Sequence, residues 1–543
     1  MKKLQRTLTL PTAIAISIGG MLSGIFVLPG IAVGITGSSI WLAFLVAALC
    51  ILPAVLSKSE LATAMPKSGG TYVYIERAFG PLFGTVSGLG LWLSLLLKSA
   101  FSLVGLSAYL YVVVQIDESL SKIVALISLG LILILNVFGV KKVGNTQLAI
   151  VSVSIISLLL VIAFGFNSFD SEMLNPVFSD GNYGFISGVA FLYISYAGVT
   201  KVAAVAGEIK SPEKNLPRSM LISLFLITAV YVLVALVLVG NVEASALSTD
   251  IRPIYTLSKV LGGETFGYAA GVIGVITLLS MANSGVLASS RFPFAMARDK
   301  MLPGFFGTVN SSFLTPVNSI IVTCIIIGLA VFYLDVEKIA KLASAFKVMM
   351  FVSVNLAVIV LRETSAQWYN PKYKSPFYPY VQLFGIISGF VLLFYLGFMP
   401  IVSVAGIFVL GFLIFLAYGK NTNRKGVFSN YGFLSFLFKG SPSGQDQTDN
   451  RQNTSSVEDI SNVNAEIVVP LLGDETSTEM LVEMASSIND KSKINTINLL
   501  EVPNQTFLEA IDLDNPESES KKRRIEHLKK YKKLNISYES IAT

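Results

Sequence analysis

The stretch IGGMLSGIFVLPG, residues 18–30, places Gly19, Gly20, Ser23 and Gly24 inside an apolar run where a helix should be continuous. Glycine costs a helix about 1 kcal/mol and releases backbone N–H and C=O groups that hydrocarbon cannot satisfy. An interruption there belongs beside a cavity or a bound molecule. The N–H groups of Ser23, Gly24 and Ile25 would sit at a half-helix N-terminus, which attracts an anion, while the carbonyl of Ile18 could accept from a cation. The same glycines also suit close packing of two membrane helices. A second interruption lies in FLYISYAGVTKVAAVAGE, residues 191–208, where Ser195, Tyr196, Ala197 and Gly198 follow one another and carbonyls near Tyr193, Tyr196 and Ala197 become available. Three lysines fall inside apolar runs: Lys98, Lys201 and Lys347. A charge at mid-membrane costs at least ~2.5 kcal/mol on insertion scales, so each is a functional hypothesis by default. Freed carbonyls or a bound carboxylate could partner them, and Lys201 and Lys347 could instead snorkel to an interface.

The elements that must position these residues are membrane spans. With 53% hydrophobic and 14% charged residues and a mean hydropathy of +0.68, the chain is a polytopic membrane protein, not a soluble globule. Apolar runs near 10–35, 39–57, 82–114, 122–140, 144–166, 184–206, 219–240, 266–289, 316–334, 338–361, 380–398 and 400–418 give about twelve spans. The net charge of +6 collects in short loops, which argues against nucleic acid binding. Lys2, Lys3, Arg6, Lys58, Lys67, Arg77, Lys141, Lys142, Lys210, Lys214, Arg218, Arg291, Arg298, Lys300, Arg362, Lys372 and Lys374 fall on one side; the opposite loops carry Asp170, Glu172 and Asp180. By the positive-inside rule both termini are cytoplasmic, and the first segment reads as a span, not a signal peptide. Cys50 and Cys324 lie in apolar runs and the single histidine, His527, lies outside them, so no disulfide framework, metal site or histidine proton relay is expected.

The two interruptions stand in spans one and six. If each of two inverted repeats holds five helices, these positions correspond, which implies a ten-helix core with two further spans. The chain resembles amino acid permeases of the amino acid, polyamine and organocation (APC) superfamily over residues 6–420. The resemblance rests on GGMLSGIFVLP in the first span and on SELATAMPKSGGTYVYIERAFGP, residues 59–81, with Glu60, Pro66, Gly69, Gly70, Tyr72 and Gly80 in register. It extends to GEIKSPEKNLPRSM after the sixth span, with Glu208, Pro212, Glu213 and Pro217, then to SMANSGVLASSRFPFAMARDKMLP in the eighth and VNLAVIVLRE in the tenth.

This resemblance implies a leucine-transporter-type fold in which a substrate's carboxylate and amine meet the interrupted helices of spans one and six. Ile18, Ser23, Gly24, Ile25, Tyr193, Tyr196, Ala197 and Gly198 are the substrate-binding residues it points to, with no cofactor. No deep carboxylate is available to pair a second positive charge, which favours a neutral, apolar amino acid. Departures from the family pattern are Leu22, where glycine is usual, and Val199, in place of a gating aromatic. Ser154 stands where some relatives carry a lysine in the fifth span. Lys98, Ser154 and Asn283 are the candidates for coupling transport to protons or sodium, and exchange remains an alternative.

Beyond residue 420, GSPSGQDQTDNRQNTSSVED marks a polar linker over residues 421–462. Residues 463–543 then alternate strand and helix: AEIVVPLL, TSTEMLVEMASSIN, INTINLLEV, the basic SESKKRRIEHLKKYKKL and ISYES. The pattern predicts a parallel α/β sheet. It resembles the first half of a universal stress protein domain, without that family's Gly-rich nucleotide loop and with Leu472 where the first strand often ends in Asp. The basic run 521–533 reads as a solvated helix face or, less favoured, a contact for anionic lipid. The expected function is secondary transport of an amino acid across the cytoplasmic membrane; the alternatives are a non-transporting amino acid sensor and a cation-chloride cotransporter. No Ser-His-Asp, Cys-His or metal constellation occurs in the membrane portion, so an enzyme is not expected.

Overall fold

A computed structural model describes residues 8–65, 71–114, 120–138, 143–175, 177–178, 181–310, 315–364, 369–419, 426–427, 467–471, 477–488, 494–500, 521–526 and 536–542. Two compact units divide the chain, one of residues 1–360 and 371–426 and one of residues 361–370 and 427–543.

The first unit is helical. Among the described residues, nine stretches are long and apolar enough to cross a bilayer, and two shorter apolar helices accompany them. The chain is a multi-pass membrane protein. The first apolar stretch runs from Leu10 to Ala64 and holds three helices: α1 (Leu10–Gly19), α2 (Ser23–Thr36) and α3 (Ile40–Ala64). Gly37, at φ 64°, ends α2 in a conformation that side chains avoid. Then follow α4 (Thr71–Phe79), α5 (Pro81–Val114), α6 (Ser121–Phe138), α7 (Val143–Asn167) and α8 (Gly181–Leu192). Directly after α8 comes a 3-10 helix of 16 residues, Tyr193–Glu208. The remainder comprises α9 (Pro212–Val239), α10 (Ala244–Leu247), α11 (Pro253–Arg298), α12 (Val317–Tyr333), α13 (Val336–Glu363), α14 (Tyr380–Tyr395) and α15 (Phe398–Ala417). α11 is two helices in line, separated by non-helical backbone at Gly262 and Gly263, so the span expected near 266–289 begins after that kink.

α5 occupies the centre of the unit and packs along α11, and nearly all of its apolar window is enclosed by protein. α6 and α15 lie outside and expose large apolar side chains such as Leu131, Ile134, Phe408 and Leu413, the surface expected of helices that face lipid. Lys58, expected in a loop, lies inside α3 and is buried, because α3 continues to Ala64 beyond the predicted end at residue 57. Glu60 and Glu76 are likewise buried, so the expectation that no carboxylate lies deep does not hold.

In the second unit, β1 (Ile467–Leu471), β2 (Ile494–Leu500) and β3 (Ile536–Ala542) form a parallel sheet in the order β1-β2-β3. Val469, Leu471, Ile494 and Ile525 pack with Val482 and Ala485 of α16 (Thr478–Ile488). Among the described residues strand and helix alternate, since parallel strands need a crossover between them. The linker expected over residues 421–462, apart from Gly426 and Val427, lies outside the described residues, as do Leu472, His527, Pro66, Gly69, Gly70, Lys141 and Lys142.

Candidate substrate site

The two interruptions meet. α1 stops at Gly19, and α2 restarts at Ser23 after a single turn, because the Gly19–Gly20 pair holds the helix only weakly and lets a packing partner come against it. That partner is the 3-10 segment: the backbone of Gly198 lies directly on Gly20, and a Cβ on Gly198 would overlap the Gly20 carbonyl. Gly24 is equally confined, since a Cβ there would lie 2.6 Å from the Ser195 hydroxyl. Ser17 ties the two segments together by donating to the Val199 carbonyl at 3.1 Å.

The polar groups expected to be free are partly engaged. Gly24 donates its N–H to Met21 at 3.0 Å, and the Ile18 carbonyl accepts from Met21 at 2.8 Å and from Leu22 at 3.1 Å. In this conformation neither Gly24 N–H nor Ile18 C=O is available to a ligand. A tight turn satisfies these groups internally, as apolar surroundings require. Met21 O also accepts from the Tyr231 hydroxyl at 2.6 Å. What the turn leaves over are two hydroxyls, of Ser23 and Ser195, both fully buried and without a hydrogen-bond partner. An orphaned buried hydroxyl costs roughly 1–3 kcal/mol. Two of them flanking one glycine mark a place where a ligand's polar atoms would be favoured.

The sixth span is interrupted differently from expectation. The helix is rewound from α to 3-10 from Tyr193 onward, not simply opened at residues 195–198. Runs of 3-10 beyond a single turn are uncommon and mark strain or function. Lys98 on α5 holds this segment, donating to the carbonyls of Ile194 at 2.9 Å and Ser195 at 3.3 Å. Tyr196 turns away from the break, its hydroxyl donating to Phe44 O at 3.0 Å and its ring beside those of Phe44 and Tyr231. Tyr193 meets Phe351 of α13 edge to face, with centroids 6.1 Å apart. Ala197 and Ile25 are buried alongside.

Lys201, half-buried, reaches the Ser284 hydroxyl at 3.3 Å, and its aliphatic stem lies against Gly20. Buried Lys347 places its ammonium 4.6 Å from the Phe351 ring centroid. The other coupling candidates each hold a side-chain partner. Ser154 shares a 2.6 Å hydrogen bond with Thr277 of α11, and Asn283 accepts from Asn136 of α6 at 2.7 Å. Sequence reasoning missed Tyr231, which carries no charge or unusual spacing to single it out, and Gln147, whose side chain fills the space beside Gly19 and accepts from Ser280 at 3.1 Å.

A multi-pass helical protein in which two interrupted spans cross at paired glycines defines the class of an integral membrane permease. The amino acid permease family model matches residues 8–424, and the chain belongs to that family. It is 27% identical to the serine/threonine exchanger SteT of Bacillus subtilis (strain 168), over 72% of this chain and 91% of that protein. To the branched-chain amino acid permease BcaP of Lactococcus lactis subsp. cremoris (strain MG1363) it is 27% identical, over 78% of this chain and 97% of that protein. The methylthioribose transporter of Bacillus subtilis (strain 168) is 27% identical over 77% of this chain and 92% of that protein.

Proposed function

We propose that the chain is a secondary transporter that moves an amino acid across the membrane by alternating access around the crossing of α1–α2 with the 3-10 segment. The observation that carries this reading is the Gly20–Gly198 backbone contact with the unpartnered hydroxyls of Ser23 and Ser195 beside it. The substrate's carboxylate would engage Ser23 and the start of α2, where the helix dipole favours negative charge. Its ammonium would compete for the carbonyls that Lys98 now holds. Opening the turn at residues 20–22 would release Gly24 N–H and Ile18 C=O for the same ligand, so binding and rewinding are coupled steps. Twelve spans, with the helices before and after the short loops counted separately and two inverted repeats of five, fit this scheme. Both termini would face the cytoplasm. Lys98 is the favoured coupling group because it bridges the scaffold helix α5 and the moving segment; Ser154 with Thr277 is the place for a sodium ion if the driving ion is sodium.

A second reading, an amino acid sensor without a transport cycle, is favoured by the appended strands and helix of residues 467–542, which lie beyond the residues the permease family model matches. These strands resemble part of a universal stress protein domain. Uptake of radiolabelled amino acids into proteoliposomes, with proton and sodium gradients imposed separately, tests both. Gradient-driven accumulation or counter-exchange supports the transporter; saturable binding without either selects the sensor.

A further inference from the structure

We propose that the substrate of this site carries a second carboxylate: it is an acidic amino acid of the aspartate or glutamate type. The inference rests on the transport reading above and departs from the apolar side chain expected from sequence. Three cationic side chains converge on the crossing from three different elements. Lys98 comes from α5 and touches the carbonyls of Ile194 and Ser195. Lys201 comes from the 3-10 segment itself, its stem against Gly20. Lys347 comes from α13 and sits over Phe351, the ring that packs against Tyr193. The three lie within electrostatic reach of one another, and buried Lys58 of α3 lies within reach of Lys347 as well. Among the described residues none of them forms an ion pair with a carboxylate, and their partners are carbonyls, a hydroxyl and an aromatic face.

Burial makes like charges costly to hold unless a counter-charge joins them; among the described residues no carboxylate pairs with these three, so a ligand's carboxylate is favoured beside them. A neutral zwitterion brings no net charge to this cluster. An acidic amino acid brings one net negative charge, and its α-carboxylate and side-chain carboxylate would sit at the two ends of the molecule. The start of α2 and the Ser23 hydroxyl suit the α-carboxylate, leaving Lys347 or Lys201 for the second. The aromatic face under Lys347 holds the ammonium without neutralising it, so it stays available to a carboxylate.

The test is uptake of L-glutamate, L-aspartate and L-leucine by the full-length protein in proteoliposomes, together with the shift in unfolding temperature that each causes in detergent. The expected result is uptake of L-glutamate or L-aspartate over L-leucine by about tenfold or more, with Lys347→Gln and Lys201→Gln each lowering that preference about tenfold, the loss of a charged hydrogen bond. If a lysine variant does not fold, competition on the unaltered protein still decides. Leucine uptake that excess glutamate leaves unchanged overturns the acidic substrate and leaves the transporter intact. Glutamate uptake undiminished in both folded variants overturns the role of these lysines. Stabilisation by glutamate without movement of any amino acid upholds the acidic site and overturns transport.

Discussion

Gly20 and Gly198 meet backbone to backbone, with no room at either for a single methyl group. The contact joins residues 178 positions apart in the chain and fixes where the first and sixth spans cross. Gly198→Ala must push the two segments apart and is expected to abolish substrate-dependent uptake, with a stability loss of about 1–3 kcal/mol from overpacking. Gly130→Ala in α6, where nothing lies within 4 Å, is the matched control and should gain up to about 1 kcal/mol of helix propensity. Uptake and thermal unfolding of the two variants side by side check the pair; equal behaviour would remove the crossing from the mechanism.

Lys98→Met keeps the length of the side chain and removes the donor to Ile194 and Ser195. Hydrogen bonds from charged groups contribute about 1.5–3 kcal/mol, so uptake should fall by at least about tenfold. If Lys98 also carries the coupling charge, the surviving uptake loses its dependence on an imposed proton gradient. A variant with reduced rate and unaltered gradient dependence assigns the residue to positioning alone.

Tyr231→Phe deletes one hydroxyl and leaves the rings of Phe44 and Tyr196 their neighbour. The Met21 carbonyl would keep only its bond from Gly24. The expected cost is about 1 kcal/mol, read as a fewfold change in apparent substrate affinity with little change in expression.

Tyr72 of α4 donates to Asp299 just after α11 at 2.6 Å, joining the segment between α3 and α5 to the end of a core helix. Tyr72→Phe and Asp299→Asn are expected to destabilise by about 1–3 kcal/mol each, and their double variant by less than the sum. Calorimetric or denaturant unfolding of the four proteins gives the coupling directly. Additive effects would show that the hydrogen bond is not what links these segments.

Removing residues 440–543 is expected to leave a monodisperse membrane protein whose uptake resembles that of the full chain. The assay is the same proteoliposome measurement. A folded but inactive truncation would bring the α/β unit into the transport step itself.

The long apolar stretches and the glycine interruption of the first span were legible because each follows from a local pattern: apolar length and helix-breaking residues. The depth of Lys98 was legible for the same reason. The partners were not. That Lys98 meets Ile194 and Ser195, that Asn283 spends its side chain on Asn136, and that Gly24 N–H turns back to Met21 all depend on contacts across the chain that no period reports. Lys58 and Glu60 were placed outside because charge normally ends a span, yet α3 carries both into the protein, where Glu60 accepts from the backbone of Ser375 at 2.7 Å. Tertiary hydrogen bonds outweighed the local preference for water.

The 16 residues of Tyr193–Glu208 hold more axial length as 3-10 helix than they would as α-helix. At rises of about 2.0 and 1.5 Å per residue the difference is roughly 8 Å. A switch of winding along this segment would act as a screw jack: with Gly198 seated on Gly20, the ten residues beyond it would draw the far end inward by about 5 Å. It would also turn every side chain beyond the crossing to a new azimuth, Lys201 among them. Translation and rotation would then come from one torsional change, without a hinge.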